Sequence, residues 1–259
     1  MMSSALLHST IAPAAPQSAR LQLGCLAASP ATVRAAVDAG ADWVRIAFRS
    51  QPPLMHAARN NRLSGAVRYA HKRGRKLVLD MAVQTDLSWQ ERSHAISWAV
   101  EQGFDALAIA DLSLALYCAT HYPSIPLHII APADICPRTA HLLKLQVNAA
   151  RILVPHYISL AQLAAICANV NAEIEVSAAG PVPGQMSLTC NDPCYLAEQG
   201  TRDALLRLPL LASIGVHAIQ VEPRSDMPDD VANMAYTWKT AIDRCHAAGP
   251  NWQGGFNMM

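Results

Sequence analysis

The chain has 259 residues, of which 52% are hydrophobic and 15% charged, and its formal net charge is +1. So much apolar surface excludes a disordered chain, because burial can offset the entropy of ordering. Near-neutral charge and 5% aromatic residues argue against nucleic acid as a partner, which needs clustered cations or stacking platforms. Charges or prolines interrupt every apolar run short of the ~20 residues that span a bilayer, so no membrane span is expected. Seven cysteines, an odd number scattered along the chain, do not form a disulfide framework and point to a reducing, cytoplasmic setting.

Residues 1–20 lack a basic region ahead of their short apolar run and are expected to be a flexible N-terminal tail. The first strand is expected at 21–26, with Cys25 at its C-terminal end. Ser29-Pro30 then offers an N-cap and a proline at the first helical position. Further strands are expected at 42–47, 76–81, 106–110, 127–131, 151–154, 173–177 and 217–221, each followed by helical periodicity. Gly40, Gly74, Gly103 and Gly215 fall between a helical run and the next strand, where a left-handed residue ends a helix. Ser88 to Glu91 and Ser159 to Gln162 fit the capping box. The segments 38–42 and 101–105 look alike and suggest a recurring βα unit.

Eight such units fill the chain and predict a single (β/α)8 TIM-type barrel over 21–249, with a doubly wound open sheet as the alternative, disfavoured because no Gly-rich phosphate loop follows the first strand. The segment 178–200 is too long and too rich in Gly and Pro for an ordinary connection, and 250–259 is expected to be a flexible C-terminal tail.

Strand alternation predicts what fills the barrel. Val44 and Ile46 need the apolar helix side, so Arg45 points inward. By the same rule Glu173, Glu175 and Ser177 point inward from the seventh strand, and Gln220 and Glu222 from the eighth. Asp80 and His128 are expected to join them. Arg45 therefore expects Glu175 or Glu222 as its carboxylate. This set is either a polar substrate pocket or an ion pair plugging the barrel. With Arg224, which follows the last strand, Arg45, Glu175 and Glu222 form the candidate catalytic set. Arg49, Asp111, Asp134 and His156 are further residues expected on the C-terminal face. No paired-histidine spacing supports a metal site.

Cys190 and Cys194 are close enough to share a cluster, and Cys25 and Cys136 follow strand ends on the same expected face. These four are the candidate cofactor ligands. Cys118, Cys167 and Cys245 lie on helical runs and are expected to pack as small hydrophobes.

The order of several segments resembles the collagenase-like peptidase family U32. Residues 25–30 with 35–42 resemble its opening strand and helix, and 105–112 its fourth strand. Residues 154–160, 173–176 and 221–224 are similar to its later motifs, and 238–245 looks most like the subunit U branch of oxygen-independent ubiquinone hydroxylation. The resemblance implies a barrel, a four-cysteine iron–sulfur cluster and a homologous barrel subunit as partner in a heterodimer. It also implies a small apolar ring substrate such as a quinone precursor. The sequence departs from the family at Ala179-Gly180, which replaces His-Gly, at His156 in place of an arginine, and at Arg45 in place of a tyrosine. Two readings follow: a subunit of the hydroxylating system, and a non-catalytic barrel that supports a cluster-bearing homologue. A peptidase comes third, because no nucleophile–base pair or metal-protease motif is visible.

Overall fold

A computed structural model describes residues 20–47, 62–81, 87–155, 158–178, 205–223, 225–249 and 252. Its strands are β1 Gln22–Ala27, β2 Trp43–Ala47, β3 Lys76–Met81, β4 Ala106–Ile109, β5 Leu127–Ile130, β6 Arg151–Val154, β7 Glu173–Ser177 and β8 Ala218–Val221. All pair in parallel, in sequence order, and β8 returns to β1 to close the barrel. The helices are α1 Pro30–Asp38, α2 Arg62–Lys72, α3 Trp89–Gln102, α4 Leu112–His121, α5 Pro137–Val147, α6 Leu160–Asn169, α7 Leu208–Ser213 and α8 Pro228–Ala248. The (β/α)8 expectation is met, with each strand boundary within a residue of its expected place.

Local sequence explains the punctuation. Ser29 caps α1 and Ser88 caps α3, each in a reciprocal box, with Thr32 and Glu91 reaching back. Such caps contribute about 1 kcal/mol each. Ser159 caps α6 more simply: it accepts from the Gln162 N–H at 3.2 Å, while the Gln162 side chain donates to Ile135 O at 2.6 Å. The full box expected there is therefore replaced by a tie between α6 and the β5–α5 loop. Gly40 and Gly103 take φ of 97° and 79°, the left-handed region that only glycine enters cheaply.

The repeated segment has a structural cause. Asp42 accepts the Leu23 N–H at 2.9 Å, and Asp105 accepts the Leu77 N–H at 2.7 Å. In each unit the aspartate opening one strand satisfies the exposed start of the preceding strand. Asp42 is held in turn by Arg75 at 2.7 Å and Lys239 at 2.9 Å, which joins the β1–β2 edge to α8.

The main core lies between the barrel wall and the helices. Leu23, Val44, Ile46, Leu77, Leu79, Ile152, Ile174, Val176 and Ile219 face outward into it. A second, small apolar cluster, Val78, Ala106 and Ala108 with Trp43 and Ile130, lies inside the barrel. Three of the packed cysteines behave as expected, with Cys118 and Cys245 buried and Cys167 half-buried.

Candidate active site in the barrel interior

The inward side chains form two levels. Nearer the strand starts, Arg151 is fully buried at 0% exposure. Its guanidinium donates to Glu173, to Glu175 Oε2 at 3.0 Å and to Gln22 Oε1 at 2.6 Å. Trp43 lies beside it, 4.6 Å from the guanidinium carbon to the ring centre, and donates its indole N–H to Gln22 Oε1 at 2.6 Å. Lys76 places its ammonium 4.5 Å from the same ring. These contacts close the N-terminal half of the barrel with polar groups that satisfy one another.

Above them, Arg45 donates to Glu175 Oε1 at 2.9 Å, and its other terminal nitrogen lies 3.9 Å from Asp80. Glu175 thus holds one arginine with each oxygen. With its amide oriented by its partners, Gln220 donates to Glu175 Oε1 at 3.2 Å and accepts from the Leu26 N–H at 3.0 Å. Gln220 has room because position 24 is glycine; a Cβ there would overlap its side-chain end. Ser177, Leu26, Ile130 and Leu153 are further inward side chains toward the strand ends. The floor of the C-terminal mouth is therefore polar at Arg45, Asp80, Ser177 and Gln220 and apolar at the other three.

The charges nearly cancel at this level. Arg45 and Arg151 face Glu175 and Asp80, so neither arginine is buried without a carboxylate. His128 responds to the same field. It is buried, tilted against Trp43 with ring centres 5.0 Å apart, and its Nδ1 finds no partner among the described residues. Burial, then the charges of Arg151, Arg45 and Lys76, hold its pKa well below the ordinary histidine value. The ring is neutral at pH 7 and cannot serve as a cation there.

The structure thus brings Arg45, Glu175, Asp80 and His128 together as the alternation implies. Glu222 differs. It stands exposed one residue past β8 and makes no salt bridge among the described residues. The strand has ended by that point, so alternation no longer fixes the direction of its side chain. Asp111 follows β4 at the C-terminal face as expected, where it caps α4 through the Ser113 N–H at 2.8 Å and binds Arg92 at 2.7 Å. Arg224, Arg49, His156, Cys190 and Cys194 lie outside the described residues. Arg151 and Gln22 are the members the sequence reading passed over. Their signal was present, since Ile152 and Val154 on the helix side force Arg151 inward by the rule that placed Arg45.

The cysteine expectation needs correction. Cys25 points outward into the core with 0% exposure, and burial pushes its thiol up to about 12. Cys136 is half-exposed at the N-cap of α5, and hydrogen bonding by Thr139 lowers its pKa. β1 and β5 are opposite one another in the eight-stranded ring. Strands ~4.8 Å apart and tilted ~36° put opposite walls roughly 15 Å apart, and Cys25 faces away from the interior. These two thiols cannot meet at one cluster, so they do not complete a four-cysteine set. Among the described residues no group of three His, Cys, Asp or Glu side chains could hold a metal ion.

This closed barrel is shared with solved structures of very different sequence. The chain is similar to the homocysteine methyltransferase MmuM from Escherichia coli at a TM-score of 0.52 and 14% identity, covering 84% of this chain and 95% of that one. It is similar to tryptophan synthase from M. tuberculosis at a TM-score of 0.57 and 12% identity, covering 86% of this chain and 94% of that one. At such identities the likeness concerns the fold alone. Within that fold, residues 28–204 match Peptidase family U32, and the chain belongs to that family. Among the described residues no helix is long and apolar enough to cross a membrane.

Proposed function

We propose that this family U32 chain is a subunit in oxygen-independent hydroxylation linked to ubiquinone biosynthesis, working beside a homologous barrel subunit. The observation that supports this reading is the C-terminal mouth. Its floor combines a charge-balanced polar side, Arg45 with Asp80 and Glu175, with apolar Leu26, Ile130 and Leu153. Such a floor suits a small ring carrying one or two polar substituents better than a polyanion or an extended peptide. Arg45 and Ser177 would orient the substituents, and the aliphatic side would take the ring. The test is deletion in cells grown with and without oxygen, with quinone measured in both. Quinone loss confined to the anaerobic culture, restored by the wild-type gene and not by Arg45→Met, is expected. Unchanged anaerobic quinone rejects the pathway.

Within that system a non-catalytic role, stabilising a cluster-bearing homologue, is favoured by one observation. Cys25 faces the helix layer and is not available at the mouth. Anaerobic purification of the chain alone should then yield substoichiometric iron and sulfide. A full four-iron complement in the isolated chain refutes this second reading.

A further inference from the structure

The strand register sorts the inward side chains of the mouth into levels. Leu26 pairs with Arg45 and Arg45 with Val78, and Asp80 lies two residues further along β3. In an eight-stranded barrel of shear ~8 the paired residue falls back about one residue per strand, so that two-residue step restores the height of Leu26. The same step leads through Ala108 and His128 to Ile130, then through Leu153 and Glu175 to Ser177. From Ser177 it passes through Gln220 and Gly24 and returns to Leu26. The circuit closes on itself, so Leu26, Asp80, Ile130 and Ser177 form one layer drawn from alternate strands.

Across the closed ring β1 faces β5 and β3 faces β7. Leu26 therefore stands opposite Ile130, both half-buried, and Asp80 stands opposite Ser177, both buried. An apolar diameter crosses a polar one. By the same count Arg45, Ala108, Leu153 and Gln220 form the level beneath and close the floor. The apolar diameter has the width of one flat ring. Opposite walls are roughly 15 Å apart, and a Leu or Ile side chain reaches ~3–4 Å inward, which leaves about 7–9 Å between their outer carbons. A planar ring in carbon contact at ~3.5–4.0 Å on each face needs about 7–8 Å. A saturated ring is thicker, because its axial hydrogens stand off the mean plane.

We propose that Leu26 and Ile130 clamp the two faces of a flat six-membered ring standing on edge in the mouth, while Asp80 and Ser177 read hydroxyl groups on its rim. Asp80 can accept from a hydroxyl, and its charge disfavours a carboxylate on the same edge. The class of ligand is therefore a neutral, phenol-like ring, and Leu26 and Ile130 set the specificity for flatness. The inference rests on the reading of the mouth as the ligand site given above, and not on the pathway.

The test is a titration of the purified full chain, methyl-labelled at Leu and Ile, with phenol and separately with cyclohexanol, followed by NMR. Methyl groups over the faces of an aromatic ring shift upfield and those at its edge shift downfield. Phenol should move the Leu26 and Ile130 methyls upfield, and cyclohexanol should bind at least about tenfold more weakly. Leu26→Ala widens the slot and should bring the two probes within about threefold of each other. Ile130→Phe fills it and should abolish the phenol shifts with the circular dichroism spectrum unchanged. Downfield or absent shifts at both methyls, or cyclohexanol bound as well as phenol by the wild-type chain, overturn the clamp whatever the variants do. Upfield shifts with unchanged anaerobic quinone reject the pathway and leave the clamp standing, whereas anaerobic quinone loss on deletion without the shifts does the reverse.

Discussion

Glu175→Gln is the sharpest perturbation of the barrel interior. The Glu175 side chain is 2% exposed and neutralises two buried cations, Arg45 at 2.9 Å and Arg151 at 3.0 Å. Glutamine keeps the shape but removes the charge. Its single carbonyl can accept from one arginine, while its amide hydrogens face the donors of the other. Breaking a buried ion pair by removing one partner costs about 3–5 kcal/mol. For a chain of this size that corresponds to a fall in Tm of roughly 6–20 °C. Glu173→Gln supplies the comparison, because the Glu173 carboxylate binds the same Arg151 but is 43% exposed. Solvent screening reduces its expected cost to ~1 kcal/mol or less. Arg45→Met should fall between the two, since Glu175 keeps Arg151. Urea titrations followed by circular dichroism would order the three variants. A Glu175→Gln loss below about 1 kcal/mol, or one equal to that of Glu173→Gln, would refute the assignment of Glu175 as the shared counter-ion.

Other measurements probe the remaining features. Because the folded pKa of His128 lies well below its unfolded value of ~6.5, protonation favours the unfolded chain. Its contribution is complete above that value and is lost as pH falls toward the folded pKa; Tm plotted against pH should drop over that window, and His128→Phe should flatten the drop. Cys136, with a lowered pKa, should be alkylated in the native protein at neutral pH, whereas Cys25, raised to about 12 and buried, should react only after unfolding. Peptide mapping of iodoacetamide-treated protein reads both, and labelling of Cys25 in the native state would contradict its placement. Gly24→Ala should displace Gln220 and lose the hydrogen bonds it makes, at a cost of about 1–3 kcal/mol; thermal melts that match wild type would show that the interior has slack at that level.

The eight strands were legible because each is bounded by chemistry that acts locally. Glycines at φ 97°, 66°, 79° and 94° end helices where the chain must turn left-handed, and Ser29 and Ser88 start them. Arg45 was legible because Val44 and Ile46 leave it only one direction to point. Cys25 was read wrongly because proximity to a strand end was weighed above alternation. Leu23, Cys25 and Ala27 share one side of β1, and burial of Leu23 among the helices carries Cys25 with it. Glu222 lies one residue past Val221, where the strand no longer fixes the direction of a side chain, so alternation alone does not place it.

The division of the interior also bears on which half can bind anything. Gln22, Trp43, Arg151 and Glu173 satisfy one another within hydrogen-bonding distance or ring contact, so a ligand entering from the strand starts would have to break several contacts at once. The upper level is tied less tightly. Arg45 makes one close bond to Glu175 and stands 3.9 Å from Asp80, longer than a hydrogen bond. A guanidinium carries five donors, and a carboxylate on one side does not use them all. A ligand that accepts from Arg45 therefore adds a bond without removing the ion pair that holds the barrel together. This separates the two roles experimentally. Arg45→Lys keeps a cation beside Glu175 but loses the planar fork, so it should leave the urea midpoint near wild type while failing to restore anaerobic quinone. Loss of both together would assign Arg45 to the scaffold alone.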